Sequence, residues 1–322
     1  MMQIVLVGLG AGAASALLFA SVASGSILAT LLFYLAPLPI LIAALGWNHW
    51  AGLVAGFTAA ASLGVVLGLY FFTAFMIGVA LPAWWLAYLS LLARPAGANG
   101  SLEWYPIGRV VLWAALIGAV LVIVAVPHFG TDKETFQAGL RAAFERAIRI
   151  QMPAGTPPLA SDTERLIDFL VRAVPPAAGA LITLLSVFNL WFAGRIVRVS
   201  GRLARPWPDL SMLALPQLTP GLFALAIAGS FLPDIAGILS GIVAASLLMA
   251  YALLGFAVLH AITRGIDYRA VALAGAYAAV VVFFWPLIAV SLLGLADSAF
   301  QIRARVASKR APPKSPLKPP PT

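Results

Sequence analysis

Residues 235–261 read IAGILSGIVAASLLMAYALLGFAVLHA, a run of apolar and small residues without a single Asp, Glu, Lys or Arg. A helix rises about 1.5 Å per residue, so about 20 such residues cross the roughly 30 Å of hydrocarbon in a bilayer. In lipid a helix also satisfies its own backbone hydrogen bonds, which an irregular segment does not. The run therefore predicts a transmembrane helix.

Comparable runs recur along the chain. The predicted spans are residues 3–23, 27–46, 51–69, 70–92, 107–126, 176–194, 213–232, 235–261, 270–284 and 286–302. The last two come from one apolar stretch, which we divide at Trp285 and Pro286 because proline disrupts a helix interior. A single kinked helix is the alternative. We predict an all-α fold, a polytopic transmembrane helix bundle of about ten spans, within a range of eight to ten.

The composition supports a membrane protein throughout. Of the 322 residues, 62% are hydrophobic and 10% are charged, whereas about half of a soluble protein is apolar and about a quarter is charged.

A secretory signal peptide has Lys or Arg before its apolar run, and the first run here has neither. We therefore expect a retained helix rather than a cleaved signal peptide. We expect one membrane domain, residues 1–302, and a disordered, basic, proline-rich cytoplasmic tail, residues 303–322.

The positions of the basic residues predict the orientation of the chain. They concentrate in the links 94–109, 195–209 and 264–269 and in the tail, whereas the segment 127–175 holds equal numbers of acidic and basic residues. Short loops rich in Lys and Arg stay in the cytoplasm. We predict a multi-pass protein of the bacterial inner (plasma) membrane with both termini in the cytoplasm. The net charge of +9 then reflects orientation and attraction to the lipid bilayer, not nucleic-acid binding.

The segment 131–174, placed outside by this topology, has the pattern of amphipathic surface helices. Thr131 to Glu134 is a capping-box sequence ahead of apolar residues at fourfold spacing. A second box begins at Ser161 and leads to Pro175 and Pro176. We predict two short helices on the outer membrane surface; a lid over a cavity is the alternative.

Nothing in the sequence is typical of an enzyme or a metal site. The absence of cysteine excludes disulfides and thiolate ligands, and His49, His128 and His260 are far apart in the chain. We therefore expect a non-enzymatic protein with no catalytic residues, no metal and no cofactor. A lipid-modifying enzyme ranks third, after a binding protein and a scaffold.

Small residues recur at every fourth position of the first span, at Gly8, Gly12, Ala16 and Ala20. The same region matches a G-x-G-x-x-A dinucleotide-binding pattern, but the acidic residue needed about 20 positions later is missing. Small residues at this spacing let a second helix approach closely. We assign Gly12, Ala16 and Ala20 to helix or partner packing.

Polar residues inside spans are candidate binding residues, because burying them in lipid is costly. Asn189, His260 and Asp297 meet this criterion. Each has a structural alternative, in which Asn189 hydrogen-bonds a neighbouring helix, His260 is an interfacial residue, and Asp297 is an ion partner of Arg303.

The cytoplasmic basic link carries Arg195, Arg198, Arg202 and Arg205.

The C-terminal third supports a family resemblance. Asn189-Leu190-Trp191 precedes the basic link, a later helix ends in His260, and Leu293-Gly294-Leu295-Ala296-Asp297 continues through Phe300 to Arg303. The arrangement resembles the YybS-like family of bacterial predicted membrane proteins of unknown function. That family is similar in hydrophobic layout to the substrate-binding S components of energy-coupling-factor vitamin transporters. The resemblance implies that the ridge of Gly12, Ala16 and Ala20 packs against a transmembrane coupling subunit that works with ATPases, although about ten spans depart from the six of S components.

Two functions follow as hypotheses. The first is binding or transport of a small molecule, in a pocket between helices beneath the outer amphipathic segment. The second is an envelope scaffold or assembly factor that meets its partner proteins through the basic link and the tail. The sequence contains no ATPase motif, so active transport would require a partner that supplies energy.

Overall fold

The computed structural model describes residues 1–96, 101–150 and 161–310. The helices are α1 (Met2–Ala20), α2 (Ile27–Tyr34), α3 (Pro37–Gly46), α4 (His49–Leu67), α5 (Leu69–Phe75), α6 (Leu81–Leu91), α7 (Ile107–Ala125), α8 (Lys133–Ile150), α9 (Ser161–Val199), α10 (Thr219–Gly229), α11 (Asp234–Ile262), α12 (Arg269–Phe283), α13 (Pro286–Phe300) and α14 (Ile302–Arg310). A π-helical turn, Met76–Ala80, joins α5 to α6.

A small β-hairpin interrupts the helical pattern and was not predicted from the sequence. Its strands, β1 (Ala93–Ala96) and β2 (Ser101–Trp104), pair antiparallel with Ala93 opposite Trp104. Arg94 and Glu103 lie opposite each other and form an ion pair at 2.7 Å. The hairpin connects the fourth span to the fifth.

The structure confirms the predicted all-α, polytopic membrane bundle. Among the described residues, seven helices are long and apolar enough to cross a membrane, or up to eight if the bent pair α13 and α14 counts as one span. Eight is the lower end of the predicted range, and the expected number of about ten is not confirmed. α10 has 11 residues and α12 has 15, which gives lengths of only about 17 and 23 Å against roughly 30 Å of hydrocarbon.

The predicted break at Trp285 and Pro286 is present. α12 ends at Phe283, Phe284 has a positive φ of 59°, and α13 begins at Pro286. The chain therefore forms two helices here, and the alternative of one kinked helix is wrong.

α9 differs from the prediction at Pro175 and Pro176. The second surface helix was expected to end before these prolines, yet Ser161–Val199 is one continuous helix of 39 residues. The prolines remove the N–H donors for only two carbonyl groups, and membrane helices tolerate this where neighbouring groups supply other partners. The amphipathic segment and the sixth span therefore form one continuous helix, about 58 Å long if straight.

The start of α8 is capped one residue later than the sequence suggested. Lys133 is the first helical residue, and the Asp132 carboxylate accepts a hydrogen bond from the backbone N–H of Thr135 at 2.9 Å. The expected pair was Thr131 with Glu134. The hydrogen bond from the Thr135 backbone holds the pKa of Asp132 below its ordinary value. Behind this cap, Arg141 of α8 forms an ion pair with Asp168 of α9.

The contacts divide the chain into two compact units, and the single membrane domain of residues 1–302 stays a prediction. The first unit consists of Met1–Asp209 and Leu215–Ala250. The second consists of Leu210–Ala214 and the residues from Tyr251 onward.

The segment expected to be a disordered tail begins as a helix. α14 extends through Arg310, so residues 303–310 are helical. Residues 311–322, the rest of the expected tail, lie outside the described residues.

The small-residue ridge of α1 packs against α4 of the same chain. A Cβ placed on Gly12 would lie 2.6 Å from the carbonyl oxygen of Ala55 and 2.6 Å from the Cβ of Thr58. Ala16 is buried, and Ala20 packs at the edge of the same apolar core. The ridge therefore serves internal packing, as small residues at this spacing allow.

Gly12→Ala is expected to lower the free energy of unfolding by about 1–3 kcal/mol, because the added methyl group meets the backbone of α4. Thermal unfolding of the full chain in detergent measures the effect. Gly10→Ala is the matched control, since a Cβ on Gly10 meets nothing within 4 Å. An equal loss in both variants would contradict the close packing of α1 on α4.

Candidate functional site

The second span is broken where proline enters it. α2 ends at Tyr34 and α3 begins at Pro37. At this break the N–H groups bond three residues back: that of Ala36 to the carbonyl oxygen of Phe33 at 3.1 Å and that of Leu38 to the carbonyl oxygen of Leu35 at 2.9 Å. In this register position 37 would serve the carbonyl oxygen of Tyr34, but Pro37 has no N–H. In hydrocarbon, the freed Tyr34 carbonyl needs a partner from elsewhere in the protein.

Asn189 of α9 supplies that partner. Its Nδ2 donates to the carbonyl oxygen of Tyr34 at 3.0 Å and to that of Leu185 at 2.9 Å. The side chain is 0% exposed, and its Oδ1 has no hydrogen-bond partner in the part of the chain that the structure describes. Asn189 therefore links the second and sixth spans and still presents one unsatisfied acceptor.

The π-helical turn of the fourth span borders the same region. Such turns disturb the regular hydrogen-bond pattern of a helix and are frequent at functional sites. Gly78 lies in this turn, and a Cβ placed on it would meet nothing within 4 Å. The turn therefore leaves space beside a residue that has no side chain.

These elements border a cavity of about 330 Å³ in the first unit. Most of its wall is apolar, from side chains such as Phe19, Phe33, Leu41, Leu86, Leu121 and Leu185. Asn189, Ser186 and Tyr34 are the lining residues that carry polar side chains, and no Asp, Glu, Lys, Arg or His lines the cavity among the described residues. A charged ligand would therefore have no counter-ion here.

The cavity borders the outer surface of the bundle beside the predicted sixth span. Asn189 precedes Arg195, the first arginine of the basic link, by six positions, or about 9 Å along α9. Ala74 and Gly78 border the cavity and are exposed at the surface of the bundle. In a membrane this apolar surface faces lipid, so the opening is lateral.

His260 belongs to the second unit and does not line the cavity. Its Nδ1 lies 2.9 Å from the carbonyl oxygen of Phe256, one turn earlier in α11. The imidazole meets the ring of Tyr277 edge-on at 5.9 Å, and Phe256 stacks on the same ring at 4.5 Å. These contacts join α11 to α12.

Asp297, also in the second unit, closes the bend between α13 and α14. Its carboxylate accepts hydrogen bonds from the backbone N–H and the Nε of Arg303, both at 2.9 Å. Arg303 also donates to the carbonyl oxygen of Ser211 at 2.6 Å. The helices bend by 70° at Gln301, whose φ is 52°. The carboxylate is therefore an end-of-helix ion partner, the structural alternative drawn from the sequence.

The basic link folds back on the ends of earlier spans. Arg205 donates to the carbonyl oxygen of Ser90 in the last turn of α6 at 3.3 Å, and burial lowers the pKa of this guanidinium. The guanidinium of Arg202 lies over the ring of Trp47, just after α3, at 4.5 Å. The ends of α3, α6 and α9 therefore lie on one side of the first unit, as an alternating order of spans requires.

The two earlier arginines share one aromatic ring. The guanidinium groups of Arg195 and Arg198 lie over the ring of Trp207 at 5.7 and 5.1 Å. Gly194 lies beside this ring, and a Cβ there would be in ordinary van der Waals contact with it at 3.4 Å.

Sequence reasoning identified only part of the cavity. It found Asn189 but not Tyr34, Pro37 or Gly78. A proline inside the apolar run 27–46 was the available signal, because it frees a carbonyl that a polar residue must satisfy.

No group of three or more His, Asp or Glu residues suited to a metal ion occurs among the described residues.

Comparison with known proteins identifies a family. Residues 13–298 match the family described as "Predicted membrane protein (DUF2232)". No match was found among curated proteins or among solved structures. The family match confirms the resemblance to uncharacterised membrane proteins, whereas the likeness to S components of transporters is not part of it and stays a prediction.

Asn189→Ala is expected to lower the free energy of unfolding by about 1–3 kcal/mol, because the carbonyl of Tyr34 loses its donor in a buried place. In a Pro37→Ala background the loss should be smaller, since the N–H restored at position 37 offers Tyr34 a local donor. A double-mutant cycle on thermal or denaturant unfolding measures this coupling. Additive losses would show that Asn189 does not compensate for Pro37.

Asp297→Asn is expected to cost about 3 kcal/mol or more, because it leaves the largely buried Arg303 without its counter-ion. Glu103→Gln is the matched control, because it breaks the ion pair with Arg94 at the surface. The Arg94 side chain is 77% exposed and the Glu103 side chain 51%, and such exposed pairs contribute at most about 1 kcal/mol to stability. Unfolding midpoints of the full chain separate the two cases. Similar midpoints would argue against a structural role for Asp297.

Proposed function

We propose a binding function for this chain, which belongs to the DUF2232 family of predicted membrane proteins. The ligand is a small, uncharged and mostly apolar molecule that carries one hydrogen-bond donor. It occupies the cavity beside Asn189 and reaches it from the lipid phase. The protein acts by binding or by helping transport, and it is not an enzyme.

The observation that carries this proposal is the unpaired Oδ1 of Asn189. A buried polar atom without a partner costs about 1–3 kcal/mol, and Asn189 is one of the residues that line a cavity of about 330 Å³. Ligand pockets in proteins begin at about this size and are mostly apolar with a few polar groups that fix orientation. A hydroxyl or N–H group of a ligand would satisfy the acceptor.

The apolar wall supports the choice of an uncharged ligand. Moving an ion into this site would require its desolvation with no opposite charge to receive it. The lateral opening at Ala74 and Gly78 supports entry from the bilayer, where such a molecule already partitions.

Location and partners follow from the same reasoning. An inner-membrane protein with cytoplasmic termini is supported by the basic link on the side where α3, α6 and α9 end. A coupling subunit with ATPases, if it binds, meets a surface other than the Gly12 ridge, because α4 covers that ridge. The envelope scaffold that acts through the basic link and tail stays the alternative.

The test uses two probes that differ by one donor: farnesol, which has a hydroxyl group, and farnesene, which lacks it. We expect farnesol to raise the thermal unfolding midpoint of the full chain in a saturable manner, since a ligand that binds the native state stabilises it. Farnesol should bind roughly tenfold more tightly than farnesene, and Asn189→Leu should remove this preference. Native mass spectrometry of the chain purified from its own membrane identifies the molecule that it retains.

A cavity-filling variant controls the location. Gly78→Leu should abolish binding of both probes, because the new side chain occupies the cavity, whereas Gly10→Leu adds the same side chain to α1 away from it. Binding that survives Gly78→Leu, or a retained molecule that is charged, would reject the proposed function.

A further inference from the structure

Three arginines at the end of α9 have their charges unpaired. Arg195, Arg198 and Arg202 contact aromatic rings, and none of them pairs with a carboxylate in the described chain. By contrast, Arg94 and Arg303 each form an ion pair with an acidic side chain. The end of α9 is therefore a local excess of positive charge.

The surroundings compensate only part of this charge. The carbonyl end of a helix acts as about half a negative charge, and Asp209 is the one acidic residue in the basic link. Arg195 and Arg198 lie over a single ring and repel each other there. An anion placed between them would relieve the repulsion.

The aromatic contacts leave the hydrogen-bond donors of these arginines available. A guanidinium group that lies over a ring interacts through its charge and its flat face, so its N–H groups at the edge stay free. A planar fork of donors matches the oxygens of a phosphate group in a bidentate way. The three side chains are exposed, so an anion has access to them.

The position of the cluster suits the phosphate layer of a membrane. Trp47 directly follows α3, and Trp207, in the link after α9, lies beside Gly194 in the last turns of that helix. Tryptophan is enriched at the membrane–water interface. Arg205 anchors the link to α6 through Ser90, which keeps Trp207 and its arginines in place.

We propose that Arg195, Arg198 and Arg202 form a binding site for a phosphate-bearing anion, held at the end of α9 by Trp207 and Trp47. The source of the phosphate is either the headgroup of an anionic phospholipid or a soluble phosphate compound. This site is independent of the cavity beside Asn189.

The test compares the full chain with two triple variants. In one, Arg195→Gln, Arg198→Gln and Arg202→Gln remove the charge; in the other, the same residues are changed to Lys, which keeps the charge but loses the planar fork. Phosphatidylglycerol, diacylglycerol and glycerol phosphate are the probes, and native mass spectrometry with thermal unfolding measures binding. A variant of α8 with Lys133→Gln, Arg146→Gln and Arg149→Gln removes the same charge elsewhere.

The chain and the α8 variant should bind phosphatidylglycerol over diacylglycerol, and both triple variants of the link should bind it roughly tenfold more weakly. Competition by glycerol phosphate would assign the site to soluble phosphates; no competition would assign it to lipid. Should a triple variant fail to fold, Arg198→Gln and Arg198→Lys alone carry the same comparison, with a smaller loss expected in each.

Two results would overturn the proposal. Lys variants that bind as tightly as the unmodified chain would show attraction to positive charge without a defined site. Equal retention of phosphatidylglycerol and diacylglycerol, with a co-purified protein lost from the Gln variant, would assign the arginines to a protein partner instead.

Discussion

Every backbone carbonyl within hydrocarbon needs a donor from the protein itself, and this constraint organises the first unit. Pro37 frees the carbonyl of Tyr34, and the fully buried amide of Asn189 restores its hydrogen bond. The bond fixes the sixth span against the broken second span. Because an amide carries an acceptor as well as donors, the repair leaves the Oδ1 of this cavity-lining residue without a partner among the described residues. The feature that stabilises the fold is thus also the one that suggests a ligand.

Close packing and open space occur side by side in this unit for a physical reason. Lipid tails are as apolar as the side chains they replace, so membrane helices associate through close van der Waals packing of small residues. Gly12 and Ala16 meet α4 in this way, whereas Gly78 lies in a π-helical turn where an added Cβ would meet nothing within 4 Å. The regular helices close against each other, and the irregular turns keep the cavity open.

The sequence predicted the membrane bundle because apolar length and charge position depend on the bilayer and not on tertiary contacts. It also located the break at Pro286 and chose Asn189 as a polar residue inside a span. It placed a helix end at Pro175, which was wrong, and a span at residues 213–232, which is not confirmed because the helix there has 11 residues. Neighbouring helices decide whether a proline or a short apolar run is accommodated. The pairing of Tyr34 with Asn189 joins residues 155 positions apart, and no local pattern indicates such a partner.

α9 relates the two proposed sites to the membrane. Asn189 and Arg195 are six residues apart, about 9 Å along one helix, so the depth of one determines the depth of the other. With its arginines and Trp207 at the interface, α9 places the Asn189 amide about 9 Å inside the hydrocarbon. Each site has a polar group without a partner in the described chain, but the surroundings differ. At the interface the available partner is an anion, and in the hydrocarbon it is a neutral donor, because only an uncharged molecule reaches that depth at low cost.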